Sequence, residues 1–96
     1  MKNSAKLLRE ANHGHYLHQA YGIVLRDQDL QRNPQRLRVA LHHILASNPY
    51  DNHEQKLKAL QALHSTPDSH LLHVTERAHE IAGHHTTMAL AQLSSK

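Results

Sequence analysis

The residues in this sequence best suited to chemistry are its histidines, which number 12 among 96 residues. Imidazole binds transition metals and exchanges a proton near neutral pH, so histidine clusters raise the questions of metal binding and acid–base chemistry. The serine, threonine and carboxylate side chains are scattered, and the sequence contains no glycine-rich phosphate loop and no nucleophile motif. The candidate sites are therefore the histidines and a smaller group of arginines.

Two predicted helices carry candidate metal ligands: His73, Glu76, Glu80 and His84 on the last helix, and His15 and His18 on the first. Glu80 and His84 are four residues apart, so their side chains lie on the same face of a helix. The competing interpretation is a solvated helix face with a favourable Glu–His pair. Because no more than two of these side chains converge within one helix, we expect no resident cofactor and only weak binding of nickel, zinc or copper.

A zinc-protease helix motif is excluded, although His79-Glu80 begins like one. That motif places a second histidine four residues after the first, so that both imidazoles face one ion. Position 83 is glycine, and His84 lies about 140° around the helix from His79. The sequence also has no cysteine, which removes thiolate nucleophiles and cysteine-ligated metal sites. We therefore expect a protein that is not an enzyme.

Arginines form the second candidate site. Arg32, Arg36 and Arg38 crowd the start of the second predicted helix, and Arg26 lies just upstream. Positive charge at a helix N-terminus opposes the helix dipole, whereas arginines and free backbone N–H groups together suit a phosphate or carboxylate. We therefore predict an anion-binding or partner-binding surface here. An ordinary solvated loop is the competing interpretation, because neighbouring aspartates can neutralise these charges and the net charge is only +3.

Turn residues divide the chain into four segments with helical periodicity. The first runs from about Ser4 to Arg26, and Asn33-Pro34 then supplies a cap and a first-turn proline for the second, which ends near Ser47. Asp51 followed by Glu54 has the spacing of a capping box for the third. Thr66 is the expected cap of the fourth, with Pro67 at its first position. We predict that this last helix continues through Gly83, because its apolar stripe keeps one phase on both sides of the glycine.

The predicted core is aliphatic, since the chain has no Phe, no Trp and only three Tyr. The last helix has the most regular stripe: Leu71, Val74, Ala78, Ile81, Ala82, His85, Met88, Ala89 and Leu93. His18 and His85 fall within such stripes, so we expect them to pack in a core or interface. The sequence thus predicts a single all-α domain over residues 1–96, with four amphipathic helices (long, short, short, long) in a small bundle. Because the core is thin, we expect a homodimer or larger oligomer to complete the bundle.

These expectations favour a small accessory or regulatory protein that binds another macromolecule, most simply a protein. Two alternatives belong to other classes: a nucleic-acid-binding regulator that uses the arginines, and a histidine-based binder of transition metals. No stretch approaches the roughly 20 apolar residues that span a bilayer, and no apolar signal-peptide run occurs near the N-terminus. We therefore expect a cytoplasmic protein that does not enter a membrane.

Overall fold

The fold is all-α, as predicted, and the computed structural model describes residues 4–95. Its helices are α1 (Ser4–Leu25), α2 (Gln28–Arg32), α3 (Pro34–Ser47), α4 (His53–Ser65) and α5 (Asp68–Ser94). Helix α5 runs without a break through Gly83, which confirms the prediction made from its periodicity. Between Ser4 and Ser95, no helix has an apolar stretch of the length needed to span a bilayer.

Helix α2 was not predicted, because its segment interrupts the apolar periodicity of its neighbours. It forms because the Asp27 carboxylate accepts hydrogen bonds from the backbone N–H groups of Asp29, at 3.0 Å, and Leu30, at 3.3 Å. A side-chain cap of this kind satisfies donors that a helix start otherwise leaves unpaired. Leu30 also packs against the core. One cap and one apolar anchor are thus sufficient for this single turn.

Two predicted caps are wrong. Asn52, rather than Asp51, caps α4, because its side chain accepts a hydrogen bond from Gln55 N at 2.7 Å. Thr66 donates its hydroxyl to Ala62 O at 2.8 Å and so closes the end of α4 instead of capping α5. The side chains of Ser, Thr, Asn and Asp can bond to the backbone of the helix before or the helix after them. Sequence position alone therefore did not decide which helix end each residue caps.

The two long helices, α1 and α5, lie antiparallel and pack along much of their length. Gly14 lies against Ala82 and Thr86, whereas Gly22 lies against His79, so the contacts run in opposite directions along the two helices. A Cβ atom at Gly14 would lie 2.9 Å from the Ala82 carbonyl oxygen. Glycine therefore lets the two backbones approach more closely than any larger residue would permit.

The core lies where α1, α3, α4 and α5 meet. Its buried members are Tyr21, Val24, Leu37, Leu41, Leu63 and Leu71. Helix α4 packs on α3 rather than on α5, so the four longer helices do not close into a complete bundle. An open groove consequently runs between α4 and α5.

Candidate functional site

The apolar stripe of α5 is only partly covered. Leu71, Ala82 and Ala89 are buried against the rest of the molecule. Val74, Ile81 and Met88 are spaced by seven residues and therefore lie in one line along the helix, yet they remain 44%, 47% and 48% exposed. His85 lies on the same edge and is also exposed, so it does not pack in the core of the chain, and its predicted alternative place in an interface stays a prediction. We call Val74, Ile81, His85 and Met88 the open edge of α5.

At the N-terminal end of α5 the groove is apolar. It widens there into a pocket of about 220 Å³ whose lining contains no charged residue: Tyr21, Leu41, Leu45, Ala59, Ala62, Leu63, Thr66, Val74, Thr75 and Ala78. Burial is the main cause that raises the pKa of Tyr21 to about 12, with smaller effects from Tyr16 and Asp51. Tyr21 is therefore neutral at physiological pH. This end of the groove is suited to aliphatic or aromatic side chains.

A second, larger and more polar cleft of about 520 Å³ lies beside the C-terminal end of α5. Its lining comes from α1, α4, α5 and the α3–α4 loop: Lys6, Arg9, Glu10, His13, Tyr50, Asn52, Gln55, His85, Met88, Ala89 and Gln92. His13 Nε2 lies 3.6 Å from Oδ1 of Asp51, whose side chain is only 6% exposed. No other hydrogen-bond donor from the described residues reaches that oxygen. Met88 and His85 connect the cleft to the open edge of α5.

Arg38 of α3 bonds to the segment where α4 ends and α5 begins. Its guanidinium donates to the carbonyl oxygen of Leu63, in the last turn of α4, at 2.5 Å, and to that of Thr66, the residue that follows α4, at 2.7 Å. The same group lies 2.7 Å from the Asp68 carboxylate at the start of α5. A cation at a helix C-terminus is stabilised by the helix dipole and by unpaired carbonyls. Arg38 therefore ties the α4–α5 junction to α3.

The other predicted anion-binding arginines do not form one cluster with Arg38. Arg26 donates its Nε to Gly22 O at 3.1 Å and lies on the α1 surface. Arg32 and Arg36 are exposed near the start of α3. Arg36 shares a shallow depression with Asp27 and Asp29, which oppose the binding of an anion there. Nucleic-acid binding through Arg32 and Arg36 thus stays a prediction. The Arg38 guanidinium is already bonded to groups of the same chain.

The predicted metal ligands also remain apart. His73, Glu76, Glu80 and His84 are exposed on α5, and Glu80 lies 3.8 Å from Arg77. His15 is exposed on α1, whereas His18 is turned towards α5. Among residues 4–95, no three histidine or carboxylate side chains converge on a point where a metal ion would bind. This arrangement does not test whether the predicted pairs of side chains bind a metal ion weakly.

His18 instead pairs with His79, which the sequence analysis considered only as the start of a zinc-protease motif. The two rings stack with centroids 4.0 Å apart and planes inclined by 16°, and His18 Nδ1 lies 3.0 Å from the His79 carbonyl oxygen. Gly83 makes room for this pair, because a Cβ atom there would lie 2.8 Å from the His18 ring. Burial, followed by the proximity of His18 and Arg26, lowers the pKa of His79, and Glu80 partly opposes the effect. The pair thus favours a neutral His79.

Comparison with known proteins assigns this chain to no family. No family model, curated protein or solved structure matches it significantly. Its function must therefore be inferred from the surfaces described above.

Two signals in the sequence point to what the predictions missed. The stripe of α5 contains nine residues and is wider than the face that α1 and the core cover. All three glycines of the chain occur inside the two long helices, where glycine is unfavourable unless close packing requires it. Such glycines indicate where α1 and α5 touch, and the excess width of the stripe indicates where α5 is left without a neighbour.

Proposed function

We propose that this chain is a small, non-catalytic accessory or regulatory protein that binds another protein through the groove between α4 and α5. The observation that carries the proposal is the open edge of α5, where Val74, Ile81 and Met88 lie in line and about half exposed. Single exposed apolar residues are common on protein surfaces, but aligned apolar residues beside an apolar pocket are typical of an interaction site. The groove has the form that accepts a helix of a partner.

The α4 side of the groove supports the same proposal. Ala59 and Ala62 line the pocket opposite Val74 and Ala78. Because alanine side chains are short, they leave the volume between the two helices empty. A partner helix with apolar residues at positions i, i+3 or i+4, and i+7 would fill it, as in other helix-in-groove complexes. The large side chains of α5 and the small ones of α4 thus provide complementary walls.

A second copy of the chain is the competing occupant, in line with the homo-oligomer expected from the thin core. Apolar edges of two α5 helices would bury each other, and such isologous contacts are the commonest route to homodimers. Against a second copy, parallel pairing of two identical edges would bring the Lys6 and Arg9 charges of both copies together, and antiparallel pairing would place them beside the apolar pocket of the other copy. We therefore propose that the partner is a different protein. Self-association is the alternative, and the experiment below distinguishes the two.

The test places a photo-cross-linking amino acid at Ile81 and, in a matched control, at Leu90. These residues lie on opposite flanks of α5 and are almost equally exposed, at 47% and 49%. In the native cell, we expect a discrete cross-linked partner from position 81 and none from position 90. Mass spectrometry of the product distinguishes a different protein from a second copy. Equal cross-linking from both positions, or none from position 81, would overturn the proposal.

A further inference from the structure

The two ends of the groove differ in charge. The lining of the apolar pocket includes no charged side chain. The cleft at the other end is lined by Lys6 and Arg9 against a single carboxylate, that of Glu10, and His13 and His85 add imidazole nitrogens. A ligand that lies along the open edge of α5 and reaches both sites therefore meets an apolar surface at one end and a basic surface at the other.

Lys6 and Arg9 are exposed and available to a ligand. Among the described residues, neither side chain has a carboxylate within 4.0 Å, whereas the Arg38 guanidinium lies 2.7 Å from the Asp68 carboxylate. Both lie in the first two turns of α1, where positive charge opposes the helix dipole. An anionic group bound above them would relieve this opposition and would pair with two cations at once.

From these observations we infer that the groove binds an amphipathic helix of a partner protein that carries acidic residues at one end. This inference rests on the proposed function and specifies the chemistry of the partner. Apolar side chains of the helix lie against Val74, Ile81 and Met88, and its carboxylates lie over Lys6 and Arg9. The distance along α5 from Val74 to Gln92 is about 27 Å, so the bound helix has about 18 residues. Charge complementarity fixes which end of that helix lies in the cleft.

The experiment uses three synthetic 18-residue helical peptides with identical apolar positions. At one end the first peptide carries three Glu, the second three Gln and the third three Lys. Calorimetry with the whole protein at low salt measures their affinities. We expect the Glu peptide to bind about tenfold more tightly than the Gln peptide, since its carboxylates can form exposed ion pairs with Lys6 and Arg9. The Lys peptide should bind most weakly of the three.

Two double variants with the same change in net charge locate the interaction. Lys6→Glu with Arg9→Glu should abolish the preference for the Glu peptide. Arg32→Glu with Arg36→Glu, at exposed sites near the start of α3, should preserve it. Circular dichroism of both variants checks that the helices are intact. Loss of the preference in both variants would show a general effect of net charge and would overturn the inference.

An Ile81→Asp variant separates the inference from the proposed function. Equal binding of the Glu and Gln peptides, both weakened by Ile81→Asp, would overturn the acidic preference and leave the groove as the binding site. Peptide binding that Ile81→Asp does not change would overturn the proposed function as well. Failure of all three peptides to bind would also overturn the inference, because the apolar and basic surfaces would then lack the proposed affinity.

Discussion

The two flanks of α5 show how residue size decides whether neighbouring helices meet. On the flank that faces α1, Gly14, Ala82 and Gly83 allow the backbones to approach until almost no space remains. On the other flank, the larger Val74, Ile81 and Met88 lie beside open space and stay about half exposed. Small residues thus form the closed interface, and large apolar residues form the open one. The closed interface stabilises the fold, whereas the open one is the surface that we propose for a partner.

The strongest test of this comparison truncates one large residue from each environment. Leu71 is fully buried, at 0% exposure, so Leu71→Ala leaves a cavity and should lower the free energy of unfolding by about 2 to 5 kcal/mol. Ile81 is 47% exposed, so Ile81→Ala should cost only about 0.5 kcal/mol. Urea denaturation followed by circular dichroism measures both. Similar losses would mean that the open edge contributes to the core and is not free for a partner.

A second test compares two glycines of α1. In Gly14→Ala the new Cβ would lie 2.9 Å from the Ala82 carbonyl oxygen, so the backbone of α1 or α5 must shift. We therefore expect the free energy of unfolding to fall by about 1 to 3 kcal/mol. In Gly22→Ala the nearest atom is a ring nitrogen of His79 at 3.3 Å. The better helix propensity of alanine then opposes the small shift that the stacked His79 ring must make, so we expect stability to change by less than about 1 kcal/mol. A stabilising Gly14→Ala would contradict the close packing of α1 and α5.

The smallest expected effect is the response of the closed interface to acid. The folded-state pKa of His79 lies below its ordinary value of 6.5, so the unfolded chain binds more protons. The stabilising contribution is therefore complete above about pH 6.5 and is lost as the pH falls through the folded-state pKa. His18, Arg26 and Glu80 are the titratable or charged neighbours that set this shift.

The measurement is the change in unfolding free energy between pH 7 and pH 5, compared between the parent protein and His79→Gln. We expect a smaller loss on acidification in the variant. His73→Gln is the control, because His73 is an exposed histidine on the same helix, and its profile should follow the parent. Parallel profiles for the parent and His79→Gln would contradict a proton-linked contribution from the stacked pair.

Much of the fold was predictable because local signals are strong in this chain. The all-α class, the start of α3 at Asn33-Pro34 and the continuity of α5 through Gly83 all follow from periodicity and capping. The predictions failed where one residue serves either of two neighbouring elements, as with Thr66, or where a single turn has too few residues for periodicity to appear, as in α2. For the site, the sequence identified the apolar stripe of α5 but assigned its open edge to the core.

What the sequence by itself determined is which residues share a helix face, since that depends only on the geometry of the helix. Which neighbour covers each face was decided by tertiary structure. His18 meets His79 across 61 residues of sequence, and Arg38 meets the end of α4 across 25. Such contacts depend on how closely whole helices approach, and this in turn depends on the combined sizes of side chains from distant segments. The open groove beside α5 is therefore a property of the assembled helices and of no single segment.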